Sequence, residues 1–168
     1  MRILGIDPGT IVMGYGIIES EGDDVKVVDF GAISVNERSP IGERLHTLHL
    51  RLLEIIDIYQ PENVAIEQPF VARNVKSAFA IGRAQAVAIL AAAASGLPTS
   101  EYTPAQVKQH VAGYGNSSKE QVQEMVRLQL NLSSVPEPND AADALAVAIC
   151  HVQELHTAGL LSRQGGQP

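Results

Sequence analysis

Three strand-like runs follow one another before the first helix signal, and this narrows the fold more than any other feature of the chain. Arg2 to Ile6 is a short apolar run, Pro8-Gly9-Thr10 a turn, and Val12 to Glu19 a second strand; Val25 to Val35 is a third, after the polar turn Glu21-Gly22-Asp23-Asp24. Strands joined by connections this short run antiparallel, so the first third of the chain is predicted to be a meander. Between Ile41 and Gln60 the period changes. Ile41, Leu45, Leu48, Leu52, Ile55 and Tyr59 recur every three or four residues, while Glu43, Arg44, Arg51, Glu54 and Asp57 take the other side, which is an amphipathic helix stopped by Pro61.

Beyond it, Asn63 to Gln68 reads as a short strand and Asn74 to Ser95 as an alanine-rich helix closed by Gly96. Pro98 to Tyr102 is a fifth strand, and three helices follow over roughly 103–111, 119–131 and 140–157. A right-handed crossover through the first helix sets strand four parallel to strand one. The fold class is therefore α/β: a five-stranded mixed sheet, three strands antiparallel and two parallel, flanked by helices. At 168 residues the chain suits one domain. The longest apolar run, Ala86 to Ala94, is short for a bilayer, and the N-terminus opens into a strand instead of a leader, so a cytoplasmic protein with no membrane partner is expected. The single cysteine, Cys150, falls among apolar residues of a helix and reads as a buried thiol.

Acidic residues stand where this topology makes them conspicuous. Asp7 ends strand one and Glu67 ends strand four, its predicted neighbour, so two carboxylates meet at one sheet end. A lone acid there is ordinarily a turn cap. Two together repel in a half-buried setting unless a cation or a reaction uses them. Asp140 and Asp143 stand three apart at the start of the last helix, on one face, with alanines around them that let the helix lie close to the sheet. Acids in a first helical turn also complement the macrodipole, which accounts for Asp140 better than for Asp143. Four oxygen donors without a Cys or His cluster suit Mg²⁺ or Mn²⁺, two such ions per site being the arrangement that serves phosphodiester hydrolysis. His46 and His49 lack a zinc-type frame and read as helix-surface residues.

Net charge opposes a nucleic-acid reading, at 12 Lys+Arg against 19 Asp+Glu, or −7. Two divalent cations would return +4 and leave about −3 at the site's full occupancy. The placement of cations then matters more than their sum. Ser118-x-x-Gln121 is a capping box that sets Lys119 at the first position of a helix, where a cation opposes the dipole and makes sense if an anion docks there. Phe70, an aromatic directly after the Glu67 strand, suits stacking on bases; Arg73, Lys76 and Arg83 follow at helical spacing.

Gly5-Ile6-Asp7-Pro8-Gly9-Thr10, Gly14-Tyr15-Gly16, Ala65-Ile66-Glu67-Gln68 with Phe70, and Asp140-Ala141-Ala142-Asp143-Ala144-Leu145-Ala146 together closely resemble the RuvC Holliday junction resolvases, over about residues 3 to 152. The resemblance implies an RNase H-like fold and a nuclease domain over residues 1–157, with 158–168 a flexible C-terminal tail. It implies a homodimer, paired symmetric nicks in four-way junction DNA leaving 5′-phosphate and 3′-hydroxyl ends, and the RuvA–RuvB branch-migration complex as partner. Asp7, Glu67, Asp140 and Asp143 become catalytic metal ligands for two Mg²⁺, with Mn²⁺ as the alternative ion; some relatives carry histidine where this chain has Asp140. Phe70, Arg73, Asn74, Lys76, Lys108 and Lys119 become DNA contacts, the two last at or near the scissile phosphate. An actin-like kinase also begins Asp-x-Gly-Thr but needs a second such domain. An RNA-cutting relative and a non-cleaving binder of branched DNA are the remaining alternatives.

Overall fold

The computed structural model describes residues 1–22, 24–68 and 75–164, with side chains through residue 159. The chain forms β1 (Arg2–Asp7), β2 (Val12–Glu21), β3 (Asp24–Ser34), α1 (Ile41–Tyr59), β4 (Asn63–Glu67), α2 (Val75–Ala94), β5 (Thr99–Tyr102), α3 (Pro104–Ala112), α4 (Lys119–Gln129) and α5 (Asn139–Gln164). The sheet order is β3-β2-β1-β4-β5. The meander pairs antiparallel, and β4 lies parallel to both β1 and β5, as the pattern of runs predicts.

Strand periodicity sorts the side chains into two cores, one on each face of the sheet. Leu4, Ile6, Met13, Ile17, Val64 and Ile66 face α1 and α2, where Leu48, Leu52, Ile55, Ala84, Ala88 and Ala91 cover them. Ile3, Ile18, Ala65 and Tyr102 face α3, α4 and α5. Asp7 shares the parity of Ile3, and Glu67 that of Ala65, so the strands themselves aim both carboxylates at the α5 side.

The helix ends follow local chemistry. Thr103 and Ser118 each close a capping box, with Gln106 and Gln121, and so start α3 and α4. Gln60 and Asn131 take left-handed backbone where α1 and α4 stop. α5 departs from expectation at its far end, because it continues through Gln164 where a helix to 157 and a tail from 158 were predicted. No proline interrupts His156-Thr157-Ala158-Gly159-Leu160-Leu161, and one glycine is too weak a breaker to end a helix already twenty residues long at that point. Cys150 is fully buried in α5, and burial pushes its thiol up to about 12. His49 corrects the surface reading, its Nε2 being buried without a hydrogen-bond partner.

Candidate active site

The register brings the strand acids together. Asp7 pairs with Gly14 across β1 and β2, Ile6 sits beside Ile66 across β1 and β4, and the next residues along are Asp7 and Glu67. The turn after Asp7 is held from α1, where Arg44 Nη1 donates to the Thr10 carbonyl at 3.2 Å.

Glycines let α5 deliver the other two. A Cβ on Gly14 would overlap the carbonyl oxygen of Asp140, and one on Gly5 would overlap that of Ala144. A Cβ on Gly16 would stand 2.7 Å from the Leu145 side chain. Ala141, Ala142, Ala144 and Ala148 are fully buried against this surface. The helix thus lies on bare strand backbone at a distance that no larger residue permits, and its first turn arrives over the Asp7 end of the sheet. Sequence reading recognised these glycines as parts of motifs but missed that they seat a helix. Their alternation in β2, opposite an alanine-rich helix start, is the signal that finds them.

The electrostatics report how near the four acids are. Burial raises Asp7 to about 8, with the charges of Glu67, Asp143 and Asp140 adding to the rise and Lys119 opposing it. Burial raises Glu67 to about 7, Asp143 adds, and a hydrogen bond with Asp7 and the charges of Lys119 and Lys108 oppose. Asp143 is raised as well, by burial first, with Asp140 adding. Its ion pair with Lys119, 2.6 Å from Nζ to Oδ2, pulls the other way without reversing the sign. For Lys119, burial lowers the pKa, but the bond to Asp143 and the charges of Asp143, Asp7 and Asp140 raise it overall.

Among the described residues no three His, Cys, Asp or Glu side chains converge tightly enough to form a finished metal cluster. Carboxylates crowded into a low-dielectric corner need positive charge, and here the Lys119 ammonium supplies it by holding Asp143, while Asp7 and Glu67 share a hydrogen bond. The donor set, four carboxylates with no sulfur or imidazole, fits a hard divalent cation, and the raised pKa values mark a site that gains from one.

Both predicted lysines reach this corner. Glu67, Asp143, Lys108 and Lys119 line a cavity of about 200 Å³ with Pro104, Val107, Val122 and Ala146. Lys119 stands at the first position of α4, as the capping box predicts. Phe70, Arg73 and Asn74 lie outside the described residues. Lys76 is exposed on α2 and does not join the cavity. A larger cavity of about 670 Å³ lies elsewhere, between the start of β3 and the far ends of α4 and α5, and contains none of these groups.

α2 is apolar on more than its buried side. Val75, Phe79 and Leu90 are exposed, and Arg83 stacks over the Phe79 ring at 4.4 Å. Its length and composition are those of a membrane-crossing helix, with 22 % of the most apolar window buried, although no unbroken apolar run in it is long enough. It packs along α1 and β4 as one layer of the domain.

The pattern of the family described as crossover junction endodeoxyribonuclease RuvC matches residues 3–151. A crossover junction endodeoxyribonuclease RuvC of Dehalococcoides mccartyi is 56 % identical over 163 residues, 97 % of this chain and 98 % of that one. One of Desulfitobacterium hafniense is 49 % identical, covering 99 % of each. Among solved structures, T. thermophilus RuvC in complex with Holliday junction substrate superposes with a TM-score of 0.88 at 34 % identity, over 94 % of this chain and 96 % of that one. With its RNase H-like sheet and a family match over most of its length, this chain belongs to the RuvC family of crossover junction endodeoxyribonucleases.

Proposed function

We propose that this protein resolves four-way (Holliday) DNA junctions by paired symmetric nicks, leaving 5′-phosphate and 3′-hydroxyl ends, in recombination and repair. The observation that carries the reading is a cavity lined by Glu67, Asp143, Lys108 and Lys119, beside which Asp7 feels the charges of Glu67, Asp143 and Asp140, in a chain of this family. Asp7, Glu67, Asp140 and Asp143 would hold two divalent cations, Mg²⁺ or Mn²⁺. Such ions supply an activated water and neutralise the charge that develops on the phosphodiester.

The rest falls to the chain itself. Asp7 and Glu67, whose pKa values burial lifts into the neutral range, would hold a cation as carboxylates, so that cation binding and loss of their protons would be linked. Lys119, at the N-terminus of α4, would serve a phosphate oxygen with the ammonium that here holds Asp143. Lys108, on the same cavity wall, holds a neighbouring phosphate. Phe70 would stack on a junction base, with Arg73, Asn74 and Lys76 along the backbone.

Two symmetric cuts call for two equivalent sites, which a two-fold homodimer provides by construction. The uncovered apolar side of α2, with Val75, Phe79 and Leu90, supports that helix as the contact between copies. RuvA–RuvB is the partner the family implies, and the cytoplasm the compartment.

The test compares four-way junction, linear duplex and RNA–DNA hybrid, each with and without Mg²⁺ or Mn²⁺. Metal-dependent nicking confined to the junction is expected, and Asp7→Asn should abolish it while leaving junction binding largely intact. Cutting of the hybrid would favour an RNA nuclease; binding without cutting would favour a passive junction binder.

A further inference from the structure

The far half of α5 carries polar side chains that this chemistry leaves unused. Tyr102 Oη and His151 Nδ1 lie 2.7 Å apart, both residues buried, with their rings edge-on and 5.9 Å between centroids. His151 Nε2 is buried and has no partner. Gln153 donates to Gln129 Oε1 at 3.2 Å, and Gln129 in turn donates to the Val111 carbonyl at 2.8 Å. Glu154 Oε1 lies 2.8 Å from His110 Nε2. A stretch of four residues on α5 is therefore tied to β5, α3 and α4. Tyr102 is the register partner of Glu67, α3 carries Lys108, and α4 begins at Lys119.

A buried hydroxyl and imidazole that lose one another cost about 1–3 kcal/mol, and an apolar pair would fill the space without that exposure. The pair makes better sense as a directional constraint. The start of α5 needs one. At Gly14 and Gly5 its contact with the sheet is backbone against backbone, with the Leu145 side chain over Gly16, packing that fixes how close the helix comes. A hydrogen bond depends on both distance and angle and adds a direction that packing alone does not have.

We propose that Tyr102 and His151 are positioning residues: their buried hydrogen bond fixes the height of α5 against β5, and so the approach of Asp140 and Asp143 to Asp7 and Glu67. The proposal rests on the reading of those four acids as divalent-cation ligands. Its test is a calorimetric titration of Mn²⁺ into the full-length protein without DNA, at a temperature where circular dichroism shows every variant folded. Tyr102→Phe, which keeps the ring, and His151→Leu should each weaken Mn²⁺ binding by about tenfold, while His151→Asn, whose amide can stand where Nδ1 stands, stays within about threefold of wild type. The double variant Tyr102→Phe/His151→Leu should be no weaker than either single one, since one bond is lost in all three. Val126→Ala, in the same core but away from this pair, should lose stability and keep wild-type Mn²⁺ affinity. Unchanged affinity in Tyr102→Phe and His151→Leu would overturn the proposal, as would equal weakening by Val126→Ala or a wild-type protein that binds no Mn²⁺. A wild-type protein that binds Mn²⁺ but leaves four-way junctions uncut would sink the nuclease reading alone, and the calorimetric comparison would still decide the role of Tyr102 and His151.

Discussion

On one face of the sheet, Leu48, Leu52, Ile55 and Ile56 of α1 press branched side chains onto Leu4, Ile6 and Met13. On the other, the backbone of α5 at Asp140 and Ala144 comes down directly on Gly14 and Gly5. Each large side chain fully enclosed contributes about 1.5–3 kcal/mol, and both faces enclose many of them. The second differs in that close approach, and it is the face toward which Asp7 and Glu67 point. The candidate chemistry thus lies on one side of the sheet, while both sides contribute stability.

The sharpest way to break this contrast is a pair of substitutions. Gly14→Ala should lower junction nicking by about 100-fold or more, because displacing a catalytic group by about 1 Å costs that much, with junction binding retained; nicking rates beside a binding isotherm check it. Leu52→Ala should do the reverse, destabilising by about 2–5 kcal/mol in denaturant titration, yet keeping the nicking rate of the folded fraction. Similar loss of activity in both would mean that the two faces are not specialised.

A second measurement concerns the acids without their cations. Asp7 and Glu67 titrate near 8 and 7 when folded, against 3.8 and 4.5 as ordinary side chains. Between those limits the folded state holds protons that the unfolded chain has released, so stability falls as pH rises. With a chelator present, Tm should decline from about pH 5 to pH 8, and saturating Mg²⁺ should remove most of the decline. A flat metal-free profile would mean that these carboxylates are less buried, or further apart, than the structure has them. Smaller still, Asp143→Asn should stabilise the metal-free protein by about 1 kcal/mol by removing a carboxylate that burial disfavours; a lowered Tm would make the pair with Lys119 structural. Smallest is Lys119→Glu, which should flatten the salt dependence of junction binding by about one phosphate contact.

Much of this architecture was legible in the residues because it depends on local periods. The two-residue period of strands fixed the parity of Asp7 and Glu67, and a crossover of standard hand made their strands neighbours. Asp140 and Asp143 were legible as a pair at a helix start, and Lys119 as the residue after a capping serine. What stayed hidden depends on distances between elements. The ion pair of Lys119 with Asp143 spans 24 positions, and the bond from Tyr102 to His151 spans 49. No local pattern marks either one.

Cys150 has a practical use that follows from its enclosure. It is the only cysteine in the chain, and a thiol that ionises near 12 is almost entirely protonated at neutral pH, so it should ignore maleimide and methanethiosulfonate reagents. The unmodified chain is then a silent background for labelling. A single cysteine placed at Phe79 or Leu90, both exposed on α2, can carry a spin label or fluorophore, and dipolar spectroscopy would test whether two labelled copies bring those helices together in solution.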